Sequence, residues 1–111
     1  MNIFTLPAEA ELPGVGEEEL HETLFQNDQR GVLIERIVSA GQASPPGFWY
    51  DQEQDEWVVL LQGRAGLAWQ DGRAMTLEKG DWVFIPAHTR HRLAWTSQEP
   101  PCIWLAVHIN T

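Results

Sequence analysis

Cysteine is nearly absent from the 111 residues: Cys102 stands alone. No internal disulfide can form, and a reducing, cytoplasmic compartment is the expectation. Positive charge is scarce as well. Seven Lys and Arg face 16 Asp and Glu, a formal net charge of -9. That balance argues against an electrostatic grip on nucleic acid or on an anionic membrane surface. Long apolar runs are missing, so no segment reaches membrane-spanning length. The opening MNIFTLPAEAELPG has neither the basic nor the apolar part of a secretion signal. No long helical periodicity occurs either. One soluble domain with a single core is the expectation for a chain of this length.

What is abundant is tryptophan, six residues in all, large rigid side chains suited to a core between sheets or to a pocket wall. Residues 1–20 are acidic and broken by Pro7, Pro13, Gly14 and Gly16. They read as an arm ahead of one β domain over 21–111. Strands are expected over His21–Asn27, Val32–Val38, Phe48–Gln62, Leu67–Trp69, Met75–Leu77, Trp82–Ile85, His91–Trp95 and Cys102–Ile109. β-Branched or alternating apolar runs lie between turn residues at each of these places. Ser44-Pro45-Pro46-Gly47 is a loop, and Asp71-Gly72 predicts a tight hairpin with positive φ at both residues. Many short strands at close spacing indicate an all-β sandwich or barrel.

The residues able to do chemistry gather in two stretches, Gly47–Gly63 and Gly80–Trp95. If Phe48–Gln62 is one strand, Tyr50, Gln52 and Glu56 share a face, because side chains alternate. His91, Leu93 and Trp95 share a face of their own strand in the same way. A buried Glu56 needs a partner, whether a metal, a histidine or Arg90 or Arg92 at the rim. Asp51, Glu53 and Asp55 read as a solvated edge. Trp49, Trp69, Trp95 and Trp104 divide between core and pocket wall. On the last strand Cys102, Trp104, Ala106 and His108 share a face. His108 reads as structural, His21 carries no functional signal, and Cys102 reads as a small buried apolar residue.

Glu56 followed by six residues and Gly63 resembles the second half of the first motif of the cupin superfamily. Gly80, Pro86 and His91 fall at the spacings of its second motif. The resemblance covers roughly Ile34–His108 and implies a cupin-like double-stranded β-helix, a jelly-roll barrel. It departs from the family where two histidines are usual, at Tyr50 and Gln52, and where a glycine is usual, at His88. The resemblance implies a divalent metal (Mn, Fe, Ni or Zn) on Glu56 and His91, with His88 as a third donor if its ring turns inward. It further implies a small-molecule ligand held by Tyr50, Gln52, Arg92 and Trp95, and a homodimer. The expected function is small-molecule binding at Glu56 and His91. The alternatives are a metal-dependent oxygenase or isomerase acting on a small carbohydrate or organic acid, and a structural or interaction protein without a ligand.

Overall fold

Turn residues cut the chain into eight strands, and alternation of apolar and polar residues decides which face of each strand is buried. The structure, a computed structural model, describes residues 2–8, 11–14 and 17–110. In order, the strands are β1 (Leu20–Asn27), β2 (Val32–Ser39), β3 (Asp55–Gln62), β4 (Ala65–Trp69), β5 (Ala74–Leu77), β6 (Trp82–Ile85), β7 (His91–Thr96) and β8 (Cys102–Ile109). They form a five-stranded sheet, ordered β1-β2-β8-β3-β6, facing a three-stranded sheet, ordered β5-β4-β7. All pairings are antiparallel. This is the all-β jelly-roll arrangement that the two motifs imply. No helix of the described residues is long and apolar enough to cross a membrane.

The core lies between the sheets. Leu60, Leu77, Ala65, Cys102 and Ala106 are fully buried there, with Trp69 and Trp104 filling the larger gaps. The apolar run Trp57–Leu61 splits by parity: Val58 and Leu60 point inward, while Trp57 and Leu61 are half-buried on the outer face.

Three local expectations change. The strand expected over Phe48–Gln62 begins only at Asp55, because residues 51–54 bend away; Tyr50 keeps a single bridge to His91. The Asp71-Gly72 hairpin forms, yet only Gly72 has positive φ. Trp69 N–H donates to the Arg73 carbonyl at 2.8 Å, which makes Gln70-Asp71-Gly72 a three-residue loop. On β7, register slips between the Gly66–Trp95 and Leu67–Leu93 pairs. The extra residue is a bulge that flips parity. Leu93 stays buried, and Trp95 turns outward at 40% exposure, away from the face of His91 and Leu93.

The segment before β1 is tied to the sheet. The Arg36 Nη1 donates to the carbonyls of Ile3 at 3.1 Å and Thr5 at 2.6 Å. Gln42 Nε2 holds the Gly14 carbonyl at 2.8 Å.

Candidate functional site

At one end of the core the apolar layer gives way to acids and imidazoles around a cavity of about 80 Å³. Its floor is Val58, Leu67, Ile85, Leu93 and Trp104, and its polar wall includes Gln52, Glu56, His91 and His108. Strand pairing sets the polar wall. Glu56 lies directly opposite His108 across β3 and β8. His91 enters from β7, joined to Tyr50 by a bridge in which Tyr50 N–H donates to the His91 carbonyl at 2.7 Å. The Tyr50 ring stacks on the His91 ring, with centroids 5.5 Å apart.

Gln52 is aimed by its own loop. Its carbonyl accepts the His88 N–H at 2.7 Å, and Asp55 Oδ1 accepts the Ala87 N–H at 2.8 Å. The 51–55 and 86–90 loops are thereby latched together. Gln52 Oε1 is buried without a hydrogen-bond partner among the described residues. A buried acceptor left unpaired costs about 1–3 kcal/mol.

His91 Nδ1 lies 2.8 Å from the Thr89 carbonyl. A carbonyl can only accept, so Nδ1 carries the proton, and in the neutral ring Nε2 keeps its lone pair. His108 Nε2 sits 2.8 Å from Glu35 Oε1 and 4.0 Å from Glu56 Oε2. His21 Nδ1 lies 3.5 Å from the other Glu35 oxygen. Glu19 reaches in from the arm and accepts a hydrogen bond from the Ser39 hydroxyl.

Burial pushes the Glu56 carboxyl above its ordinary value; His108 and His91 oppose the shift, Glu35 adds to it, and the Gln52 amide opposes it. Burial also raises Glu19, against the Ser39 hydrogen bond and His21. Burial and the nearby carboxylates of Glu19, Glu18 and Glu56 raise the Tyr50 phenol. Because the folded chain holds these carboxyl protons more tightly than the unfolded chain, the stabilisation is complete below the unfolded value near 4.5. It is lost as pH rises through the folded values. The melting temperature is therefore expected to fall as pH rises above the unfolded value, and Glu56→Gln to flatten that slope. A melting temperature that climbs with pH there would contradict the assignment. Asp51 is lowered by its hydrogen bond to His88 and Asp71 by the backbone N–H of Arg73. Both act at lower pH, with the opposite sign.

Of the expected site residues, Tyr50, Gln52, Glu56 and His91 meet at the cavity. Three others do not. His88 occupies the usual glycine position of the second motif and takes the left-handed backbone that glycine favours, φ 60. That conformation turns its ring outward to Asp51, Nδ1 to Oδ1 2.7 Å. Arg92 follows His91 on the strand and so faces away; Nη2 donates to the Ser44 carbonyl at 2.7 Å. Trp95 is turned out by the β7 bulge, lying near the Arg64 guanidinium with 6.0 Å from Cζ to the ring centroid. Neither Arg90 nor Arg92 neutralises Glu56: Arg90 Nε lies 3.5 Å from Asp51 Oδ2. The carboxylate's charged neighbours are histidines and Glu35.

Four titratable residues of the pocket lie outside the expected set: Glu19, His21, Glu35 and His108. Alternation already places His108 with Trp104 on β8 and Glu35 with Ile37 on β2. Choosing the inward face needs the facing sheet.

A family model for the cupin domain matches residues 35–108. The chain belongs to the cupin domain family. A crystal structure from Ralstonia eutropha JMP134, provisionally described as a mannose-6-phosphate isomerase, is 44% identical to this cupin. The match covers 100% of this chain and 97% of that one, with a TM-score of 0.85. A cupin superfamily protein from Desulfitobacterium hafniense DCB-2 superimposes with a TM-score of 0.70 at 20% identity, over 96% of this chain and 90% of that one. At that identity it speaks for the fold alone. In Escherichia coli K12, the RCS-specific HTH-type transcriptional activator RclR is 28% identical over 86 residues. The match takes in 78% of this chain and spans about 30% of the regulator's length.

The four positions where the resemblance places metal ligands hold Tyr50, Gln52, Glu56 and His91. Among the described residues no three His, Cys, Asp or Glu side chains are arranged to hold a metal ion. The raised phenol of Tyr50 works against a phenolate donor. His108 Nε2 is engaged by Glu35. One imidazole nitrogen, one carboxylate and one amide oxygen remain, one strong donor short of the three His or carboxylate ligands usual for a resident divalent metal.

Proposed function

We propose that this cupin binds a small polar molecule in the cavity between its sheets, with Gln52, Glu56, His91 and Tyr50 as the contacting side chains. The observation that carries the reading is the unpartnered, buried Gln52 Oε1 beside Glu56 in a cavity with an apolar floor. Few, convergent polar groups on an apolar surface are the usual form of a ligand site. His91 Nε2 and the Glu56 carboxyl supply further directed contacts. Likeness to part of a transcriptional activator suits a domain that binds without turnover. The description of the Ralstonia relative makes isomerisation of a sugar phosphate the enzymatic alternative.

The test is a thermal-shift screen on EDTA-treated protein. A ligand at a hundredfold its Kd should raise the melting temperature by roughly 10 °C. Gln52→Leu should roughly halve the shift while the apo protein still melts cooperatively. Stoichiometric metal in untagged protein, lost in Glu56→Ala and His91→Ala, would overturn the metal-free form of this reading.

A second copy of the chain is the proposed macromolecular partner. On the outer face of the large sheet, Phe25, Ile34, Val107, Trp57 and Phe84 pair in one unbroken row across all five strands. Phe25 is 52%, Phe84 48% and the adjacent Trp82 61% exposed. A continuous apolar row of this length marks an interaction surface, and a two-fold axis through it would cover both copies at once. Light scattering should give the dimer mass for the native chain and the monomer mass for a Trp82→Glu, Phe84→Glu double variant. A native monomer at micromolar concentration would remove the proposal.

A further inference from the structure

Charge is distributed unevenly between the cavity and the rest of the molecule, and this bears on what the cavity accepts. Outside it lies a vestibule of about 470 Å³ bounded by Glu17, Glu18 and Glu19 of the arm, His21 of β1 and the 42–50 loop. The two spaces meet at Glu19, His21, Tyr50 and Leu93. Glu17, Glu18 and Glu19 line the way in, and Glu35 and Glu56 wait inside. No lysine or arginine is among the described residues lining either space.

Five of the six arginines have partners outside these spaces, although the buried Arg92 Nε has none among the described residues. Arg36 pairs with Glu22, Arg64 with Glu78, Arg73 with Asp71 and Arg90 with Asp51. Arg92 is bonded to the Ser44 carbonyl. A phosphate or carboxylate entering here would meet the acidic side chains of Glu17, Glu18 and Glu35, with three imidazoles as the basic groups among the described residues lining the two spaces. Such juxtapositions repel ligands of the wrong sign.

We infer that the ligand is a small cation, a primary ammonium compound with a short apolar tail. The inference rests on the reading that the cavity binds a small molecule. An ammonium brings three N–H donors and no acceptor. The unpartnered Gln52 Oε1 can take one of them and Glu56 another. Val58, Leu67, Ile85 and Trp104 line the apolar part of the cavity and suit the tail. Burial, with like charge from Glu35 on Glu56 and from Glu56 on Glu19, holds both towards the neutral form. A bound cation reverses that preference and turns both into charge-assisted acceptors.

Three probes of matched length separate the possibilities: butylammonium, butan-1-ol and butanoate, titrated into EDTA-treated protein and followed by NMR at the Trp104 indole and the Val58, Leu67 and Ile85 methyls. Butylammonium is expected to bind about tenfold more tightly than butan-1-ol, with butanoate not binding. Glu56→Gln and, separately, Gln52→Leu should each weaken butylammonium by about tenfold and narrow its preference over butan-1-ol. The Gln52 position lies in a loop, so its variant keeps the test usable if the buried Glu56 variant fails to fold. Butanoate or butan-1-ol binding as tightly at the same resonances overturns the charge inference and leaves the pocket standing. If none of the three perturbs those resonances, the pocket reading falls with it.

Discussion

Gly63→Ala is expected to cost about 3 kcal/mol, a drop of more than roughly 10 °C in melting temperature. Two costs add. Gly63 has φ +89, where an L side chain is strained by about 1–3 kcal/mol. A Cβ there would also lie 2.8 Å from Ser97 Oγ, 2.9 Å from Cys102 Sγ and 3.0 Å from Cys102 Cα. The last of these is backbone of β8, the central strand of the large sheet, so relief requires moving the sheet; overpacking of this kind costs about 1–3 kcal/mol. Gly80 provides the control. Its φ is +91 and nothing lies within 4 Å of the Cβ position. Gly80→Ala should therefore lose only the backbone share, about 1 kcal/mol. Equal losses in the two variants, measured by urea denaturation, would show that the contact with Cys102 contributes nothing.

Arg36→Ala should remove about 2–3 kcal/mol and free the arm. Arg36 is 9% exposed. Its Nε and Nη2 grip the Glu22 carboxylate at 2.7 and 2.9 Å, and Nη1 holds the Ile3 and Thr5 carbonyls. Truncating one partner of a fully buried ion pair costs about 3–5 kcal/mol. The Glu22 side chain is 32% exposed, so solvent screening lowers the expected figure. Arg36→Lys should fall between, because a point charge cannot reproduce the planar fork. The functional consequence follows from continuity of the chain: the freed segment leads to Glu17–Glu19, which line the cavity mouth. Limited proteolysis before β1 should accelerate in Arg36→Ala, and ligand-induced stabilisation should shrink. Unchanged cleavage rates would mean that the carbonyl contacts do not anchor the arm.

Parity explains why part of the site is legible without coordinates. Tyr50, Gln52 and Glu56 reach one cavity although residues 51–54 leave the strand, since the loop is latched by the His88 N–H and Asp55 and its even spacing survives. Trp95 shows where parity fails. One inserted residue on β7 reverses its direction, and neither Ala94 nor Trp95 signals a bulge in advance. His88 fails for a backbone reason, because the left-handed turn conformation takes its ring out of reach of Glu56. Glu35 and His108 were visible as polar residues on alternating strands. Only the pairing of β2 and β3 on either side of β8 brings them within 4.0 Å of one another or of Glu56.

The sequence by itself determined the family, the all-β architecture and the pairing of Glu56 with His91 around one site. Those depend on local signals: turn residues, alternation, and motif spacings set by strand length. Tertiary structure alone decided which sides of β2 and β8 look inward, that the arm supplies a wall, and that the arginines lie elsewhere. Such choices depend on which surfaces face each other across two sheets, and no spacing along a single strand encodes that.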